Sequence, residues 1–83
     1  MSSPTMRAKL QVSDVKVDQA CDTVRFHAVS RNDGYPEDGS DENNTFARFS
    51  PSASLEIQIA NPELFGKLRP GQTFYVDFTP ADQ

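Results

Sequence analysis

Apolar residues alternate with polar ones in four separate segments of this chain, and this period of two constrains the fold more than any other feature. The first segment begins at about Met6, where Ala8, Leu10 and Val12 alternate with basic and amide side chains. Successive side chains of a β-strand point to opposite faces, so the pattern predicts strands with one buried face and one wet face. No window has the longer period of an amphipathic helix, which disfavours a ubiquitin-like α+β roll.

The first strand contains a break in its alternation. After Val12 the apolar phase slips to Val15 and Val17. An extra residue near Ser13 and Asp14 would cause this slip through a β-bulge, which bends a strand. The second segment, residues 24–28, repeats the alternation, and we expect it to form a hairpin with the first.

Two more strands and a short helix are predicted in the carboxyl-terminal half. The alternation covers about Ala53 to Ala60 and then Thr73 to Thr79. Between them, Asn61 and Pro62 are typical of a helix cap followed by proline at the first helical position. We therefore expect a helix of one or two turns from Glu63 to Leu68.

The predicted fold class is mainly β: an antiparallel sheet of four or five strands, curled into a partial barrel or small sandwich, with one short helical turn. Residues 1–83 form a single small domain, with flexible ends at 1–5 and 80–83. The stretch 48–51 is ambiguous. It is either a short edge strand or, with its neighbouring aromatic residues, an apolar anchor under a loop.

Residues 31–46 form a long acidic loop that holds the whole net charge. Five acids oppose one base there, a local balance of −4, which equals the net charge of the chain. Loops without secondary structure beyond roughly 12–15 residues are uncommon in compact domains, so the segment is either a solvated connection or a binding surface. The spacing of its oxygens does not fit a calcium-binding EF-hand loop.

Aromatic residues within and beside this loop favour the second interpretation, since exposed rings among polar groups are typical anchors of protein interfaces. The alternative is that the rings pin the loop to the sheet. The predicted partner-binding residues are Tyr35, Asp38, Asp41, Glu42, Phe46 and Phe49.

We expect the protein not to be an enzyme and to use no cofactor. His27 is the single histidine and has no recognisable nucleophile motif beside it, and Cys21 has no basic cluster to lower its pKa. One cysteine and one histidine are too few for a zinc site, so no metal is expected. The glycines are too dispersed for a phosphate-binding loop.

The acidic pI, about 4.7, argues against nucleic acid as a partner, because basic side chains supply most of that affinity. No apolar run is long enough for a membrane span, and the first residues lack a signal peptide. A lone cysteine is typical of a reducing compartment. The expected partner is a protein, a homo-oligomer is an open alternative, and secretion by a signal peptide is not expected.

Several motifs between Asp41 and Ala81 resemble a family of short uncharacterised proteins of tailed bacteriophages. The shared pattern includes the run Glu42–Phe46, the Ser-Pro-Ser at 50–52, Asn61 with Pro62, and Pro70 with Gly71 before the last strand. This resemblance implies a phage origin and a location in the virion or the host cytoplasm. It implies no activity.

Two hypotheses follow. The first is a non-enzymatic phage structural or accessory protein that acts through protein–protein contacts in the virion or its assembly. The second is an intracellular phage factor that binds a host protein or a small signalling ligand, such as an anti-defence inhibitor. The acidic surface suits a basic protein better than a nucleotide, although Arg25, Arg31, Arg48 and Lys67 offer a phosphate site in an oligomer.

Overall fold

The computed structural model describes residues 4–30 and 34–82, and its four β-strands form one antiparallel sheet. Arg31 and Asp33 of the acidic loop lie outside the described residues. The strands are β1 (Met6–Val17), β2 (Asp22–Ala28), β3 (Ser54–Ile59) and β4 (Thr73–Phe78). Their order in the sheet is β3-β2-β1-β4, and β3 and β4 do not meet, so the sheet is open. This confirms a mainly β fold with four strands.

The predicted bulge lies in β1, and the predicted hairpin joins β1 to β2. Val12 pairs with Phe26, and the next pair is Asp14 with Arg25, so Ser13 is the extra residue. The bulge lets the apolar residues before and after it share one face of the sheet, although their spacing along the chain differs. The slip in the sequence pattern is therefore confirmed as a structural feature.

One face of the sheet carries the hydrophobic core. Pairing across β1, β2 and β4 aligns the buried side chains on this apolar face, while arginines, glutamines and acids of the same strands lie on the polar face. The rings of Phe26 and Phe74 meet edge to face across β1 with centroids 6.2 Å apart, so the outer strand curls towards the centre. The buried core residues are Ala8, Leu10, Val12, Val24 and Phe26.

The predicted helix is shorter in the structure. Asn61 caps it as expected, with its Oδ1 accepting from the Glu63 N–H at 3.1 Å, but it is a single 3₁₀ turn, Pro62–Leu64. Gly66 follows with a φ of +77°, and its N–H donates to the Asp22 carboxylate at 2.9 Å. That bond ties the chain to the start of β2, which prevents a second turn.

The segments outside the strands include residues 48–51, the described part of the loop and the chain before β1. Residues 48–51 form no strand, and residues 34–46 contain neither helix nor strand. Thr5 donates its N–H to the Phe78 carbonyl at 2.7 Å and so extends the pairing of β1 with β4. Within the described part of the chain, no helix is long and apolar enough to cross a membrane.

Replacing Leu10 with Ala tests the core. Leu10 is buried in the central strand, so its truncation leaves a cavity and should lower the free energy of unfolding by about 3 kcal/mol. The exposed Gln58 on the polar face of β3 provides the control, and Gln58→Ala should change it by less than about 0.5 kcal/mol. Urea unfolding measures both, and equal effects would contradict this assignment of the core.

Candidate functional site

The acidic loop continues the sheet beside β1, in the place that β2 leaves empty after Ala28. The Arg7 N–H donates to the Thr45 Oγ1 at 2.7 Å, and the Thr45 N–H donates to the Arg7 carbonyl at 2.9 Å. The backbone groups at the start of β1 therefore have partners in the loop, as buried strand groups require. The loop is joined to the sheet along this edge.

Asn44 is the fixed point of this junction, and its side chain is fully buried. Its Oδ1 accepts from the Lys9 N–H at 2.7 Å, and its Nδ2 donates to the Val29 carbonyl at 2.8 Å. The carboxamide offers a donor and an acceptor together, so it bridges the Lys9 N–H and the Val29 carbonyl, while the Val29 N–H still donates directly to the Lys9 carbonyl at 2.9 Å. The sequence predicted no role for this residue.

Asp41 is buried beneath the same loop, with 3% of its surface exposed. Its Oδ1 accepts from the backbone N–H groups of Asn43 and Asn44 at 3.0 and 3.3 Å, and its Oδ2 accepts from the Asn44 Nδ2 at 3.2 Å. The structure therefore places this predicted partner-binding residue inside the loop, where its carboxylate orients Asn44. These hydrogen bonds satisfy both oxygens of the buried carboxyl group.

The other two predicted acids, Asp38 and Glu42, lie at the surface. The Ser40 N–H donates to the Asp38 Oδ1 at 3.0 Å. This hydrogen bond, the Ser40 hydroxyl and the charge of Arg48 lower the pKa of Asp38, so it is ionised at neutral pH. Glu42 borders a surface hollow of about 330 Å³ that also includes Thr45 and Arg48.

Tyr35 and Phe49 come together although they are far apart in sequence. Their rings lie 5.8 Å apart, and Phe49 is 51% exposed. The Phe49 ring also lies so close to Gly39 that a side chain there would collide with it. Gly39 has a φ of +74°, and its carbonyl accepts from the Phe49 N–H at 2.8 Å. Tyr35, Gly39 and Phe49 form what we call the aromatic platform.

Phe46 packs against the hydrophobic core and is not part of the aromatic platform. It is half-buried and packs against the core residues of the apolar face. Of the two interpretations of the loop aromatics, anchoring describes Phe46, whereas Phe49 keeps half of its surface exposed. The six predicted residues thus do not form one surface. Tyr35, Phe49 and Asp38 lie near Gly39 and Ser40, and Asp41 and Phe46 point inward.

Hydrogen bonds on the polar face of the sheet connect β4 to the loop. The Arg7 Nε donates to the Asp77 Oδ1 at 2.6 Å, and the guanidinium lies over the Tyr75 ring, 4.8 Å from its centroid. The Tyr75 hydroxyl donates to the Asn43 Oδ1 at 3.2 Å. The strong hydrogen bond and the charge of Arg7 lower the pKa of Asp77. Tyr75 thus connects the last strand to the neighbour of Asn44.

His27 contacts the extra residue of the bulge. Its Nδ1 lies 2.5 Å from the Ser13 Oγ, on the polar face, and both residues are exposed. A serine next to an imidazole is one part of a nucleophilic site. Both groups are exposed and line an open hollow of about 530 Å³ together with Arg25 and Glu56. Over residues 4–30 and 34–82, no three His, Cys, Asp or Glu side chains lie together in a way that could hold a metal ion.

Comparison with protein-family models, with curated proteins and with solved structures finds no match to this chain. The resemblance to short phage proteins therefore stays a prediction. Any proposal of function therefore rests on the side chains of the described residues. They offer an aromatic platform beside exposed acids, on a loop that the buried Asn44 fixes to the sheet.

Replacing Asn44 with Ala should lower the free energy of unfolding by about 2–4 kcal/mol, because it leaves the Lys9 N–H and the Val29 carbonyl buried and unpaired. The neighbouring Asn43 is half-buried, and its side chain accepts a hydrogen bond from the exposed Tyr75 hydroxyl. Asn43→Ala should therefore lower the free energy of unfolding by less than about 1 kcal/mol. Urea unfolding of the two variants measures the difference. Equal losses would show that the buried carboxamide does not hold the loop.

The pKa of Asp77 tests the ion pair between Arg7 and Asp77. We expect it to lie below the ordinary value for Asp, because Arg7 stabilises the carboxylate, and to rise towards that value in the Arg7→Gln variant. A folded-state pKa below the unfolded value contributes stability above the unfolded pKa, and this is lost as pH falls through the folded pKa. NMR titration of the side-chain carboxyl measures the shift. An unchanged pKa in Arg7→Gln would contradict the ion pair.

Proposed function

We propose that this chain is a non-enzymatic accessory protein that binds another protein through the aromatic platform and the exposed acids around it. The conformation of Phe49 carries this proposal. Its φ is 58°, the left-handed region, and no other non-glycine residue of the described ranges has a positive φ. A bulky residue there costs about 1 kcal/mol or more, and such strain concentrates at functional sites.

Phe49 combines this backbone conformation with a large exposed surface, because about half of the residue is accessible to water. Burying that exposed surface against a partner would be favourable, and aromatic residues of this kind are common energetic centres of interfaces. The ring is not free to collapse into the core, because the backbone bond to Gly39 and the contact with Tyr35 fix it. A pre-positioned ring loses little conformational freedom on binding.

Charge supports a basic partner. Glu37, Asp38 and Glu42 are exposed on the same loop, and the low pKa of Asp38 keeps it ionised. Exposed charges around an apolar anchor accelerate encounter with an oppositely charged protein and select among partners. Between residues 34 and 49 the only base is Arg48, and Arg7 of β1 lies near Glu42 but is paired with Asp77. The described part of the loop is therefore net negative.

The sequence resemblance to short phage proteins supports a place for this partner in phage biology. On this proposal the chain is a structural or accessory protein of the virion or its assembly. The alternative is an anti-defence factor that binds a host protein, and the acidic loop favours it equally. Mass spectrometry of purified virions separates the two, because a virion component is present at a stoichiometric copy number and a factor of the infected cell is not.

Neutralising the exposed acids tests the surface. The triple change Glu37→Gln, Asp38→Asn, Glu42→Gln should weaken partner binding by about 5- to 30-fold and reduce its salt dependence, because exposed charge pairs contribute about 0.2–1 kcal/mol each. Asp41 is kept, since its carboxylate orients Asn44. Binding is measured by quantitative affinity capture from infected cells, followed by titration of the captured protein.

The control is a triple change of equal charge at exposed acids outside the loop: Asp18→Asn, Glu63→Gln and Asp82→Asn. It should leave binding within about twofold, because these charges do not adjoin the platform. If both triples weaken binding alike, net charge governs it. If neither does, the acidic loop is only a solvated connection.

A further inference from the structure

The chain is flatter than a compact domain of its length. Its principal extents are 48 × 33 × 15 Å, and its radius of gyration is 14.7 Å, whereas a compact domain of 83 residues has one of about 12 Å. A sheet in a folded domain usually packs its apolar face against a second layer. The thickness of 15 Å corresponds to one sheet with its side chains and connecting segments.

The exposed surface leads to the same conclusion. The chain exposes 6165 Å², whereas a compact monomer of 9.2 kDa exposes about 4,900 Å². The excess, about 1,200 Å², exceeds the roughly 800 Å² that each partner buries in a standard protein interface. The molecule therefore has enough surplus surface for a stable interface.

Four of the exposed apolar side chains lie on one face of the sheet. Ile57 of β3 and Phe74 and Phe78 of β4 share the apolar face by their pairing with buried residues, and between 38% and 46% of each is exposed. Val17, at the end of β1, is on the same face and 76% exposed. The exposed apolar side chains therefore lie on both outer strands and at the end of β1, on either side of the core.

The apolar face carries no exposed charge, and this favours a second copy of the chain as its partner. Among the side chains that the four strands direct to this face, only Asp22 is ionisable, and it is buried with the Gly66 N–H as its partner. A surface without exposed charge is compatible with itself, as a two-fold interface requires, because each patch meets its own copy. The acids of the loop and the ion pairs of the polar face lie elsewhere.

We infer that two copies of this chain associate through the exposed side chains of the apolar face, around the central residues against which Phe46 and Leu68 already pack. The exposed apolar side chains of each copy would be buried against those of the other. An open apolar cleft of about 120 Å³ between Met6, Phe46 and Phe78 offers space for a side chain of the other copy. This interface does not use the aromatic platform, so the dimer and the proposed partner binding stand independently.

The test is the solution mass of the unmodified protein. Analytical ultracentrifugation should give twice the 9.2 kDa chain mass at high concentration. The melting temperature should rise by about 5–10 °C between about 5 and about 500 µM, because association stabilises the folded state by mass action. A mass of 9.2 kDa over this whole range would overturn the inference.

Two adjacent residues of β3 show which face is used. Ile57→Lys places a charge on the apolar face and should weaken the dimer by more than about 100-fold. Gln58→Lys places the same charge on the polar face and should change it by less than about threefold. Loss of the dimer in both variants, or in neither, would overturn the assignment to the apolar face. If circular dichroism shows that Ile57→Lys is unfolded, Phe78→Lys replaces it.

A dye that binds exposed apolar surface locates the interface without any substitution. Anilinonaphthalene sulfonate should bind the monomer, and its fluorescence per chain should fall as the fraction of dimer increases. Constant fluorescence per chain while the dimer forms would mean that association uses the strand edges or the loop, and it would overturn the inference.

Discussion

The carboxamide of Asn44 is the interaction on which the rest of the structure depends. It joins the backbone of β1 at Lys9 to Val29, the residue after β2, beside the last direct hydrogen bond from the Val29 N–H to the Lys9 carbonyl. One buried side chain thereby fixes the acidic loop, completes the edge of the central strand and positions Phe46 over the core. Asp41 in turn orients the amide. Residues 34–46 are consequently part of the folded domain.

The strands and the bulge were predictable because each depends on local alternation. Ser13 interrupts the apolar phase of β1, and the pairing shows the interruption at that residue. Asn44 and Asp41 were not predictable, because their burial depends on where β2 ends and which backbone groups of β1 it leaves unpaired. Acidic and amide residues in a turn-rich run are usually solvated, so composition alone gave the wrong environment for both. The 3₁₀ turn ended early because Asp22, distant in sequence, captures the Gly66 N–H.

The molecule separates its chemistry between two surfaces. The exposed acids lie on the loop with Phe49 beside it, while the exposed part of the apolar face carries aliphatic and aromatic side chains. The two proposed contacts, self-association and recognition of a different protein, would therefore use separate surfaces. A two-fold dimer would present two loops, one from each copy, and two modest contacts to a repeated partner would combine into strong attachment.

The extra residue in β1 makes this strand intolerant of changes in length. Ala8, Leu10 and Val12 reach the apolar face at even positions of the chain, whereas Val15 and Val17 reach it at odd positions, and Ser13 reconciles the two sets. A deletion on either side of Ser13 would rotate one set into water and bring charged neighbours to the core. Insertions and deletions during the divergence of such chains should consequently be confined to the connections between strands, and the length of β1 should be preserved even where its side chains are exchanged.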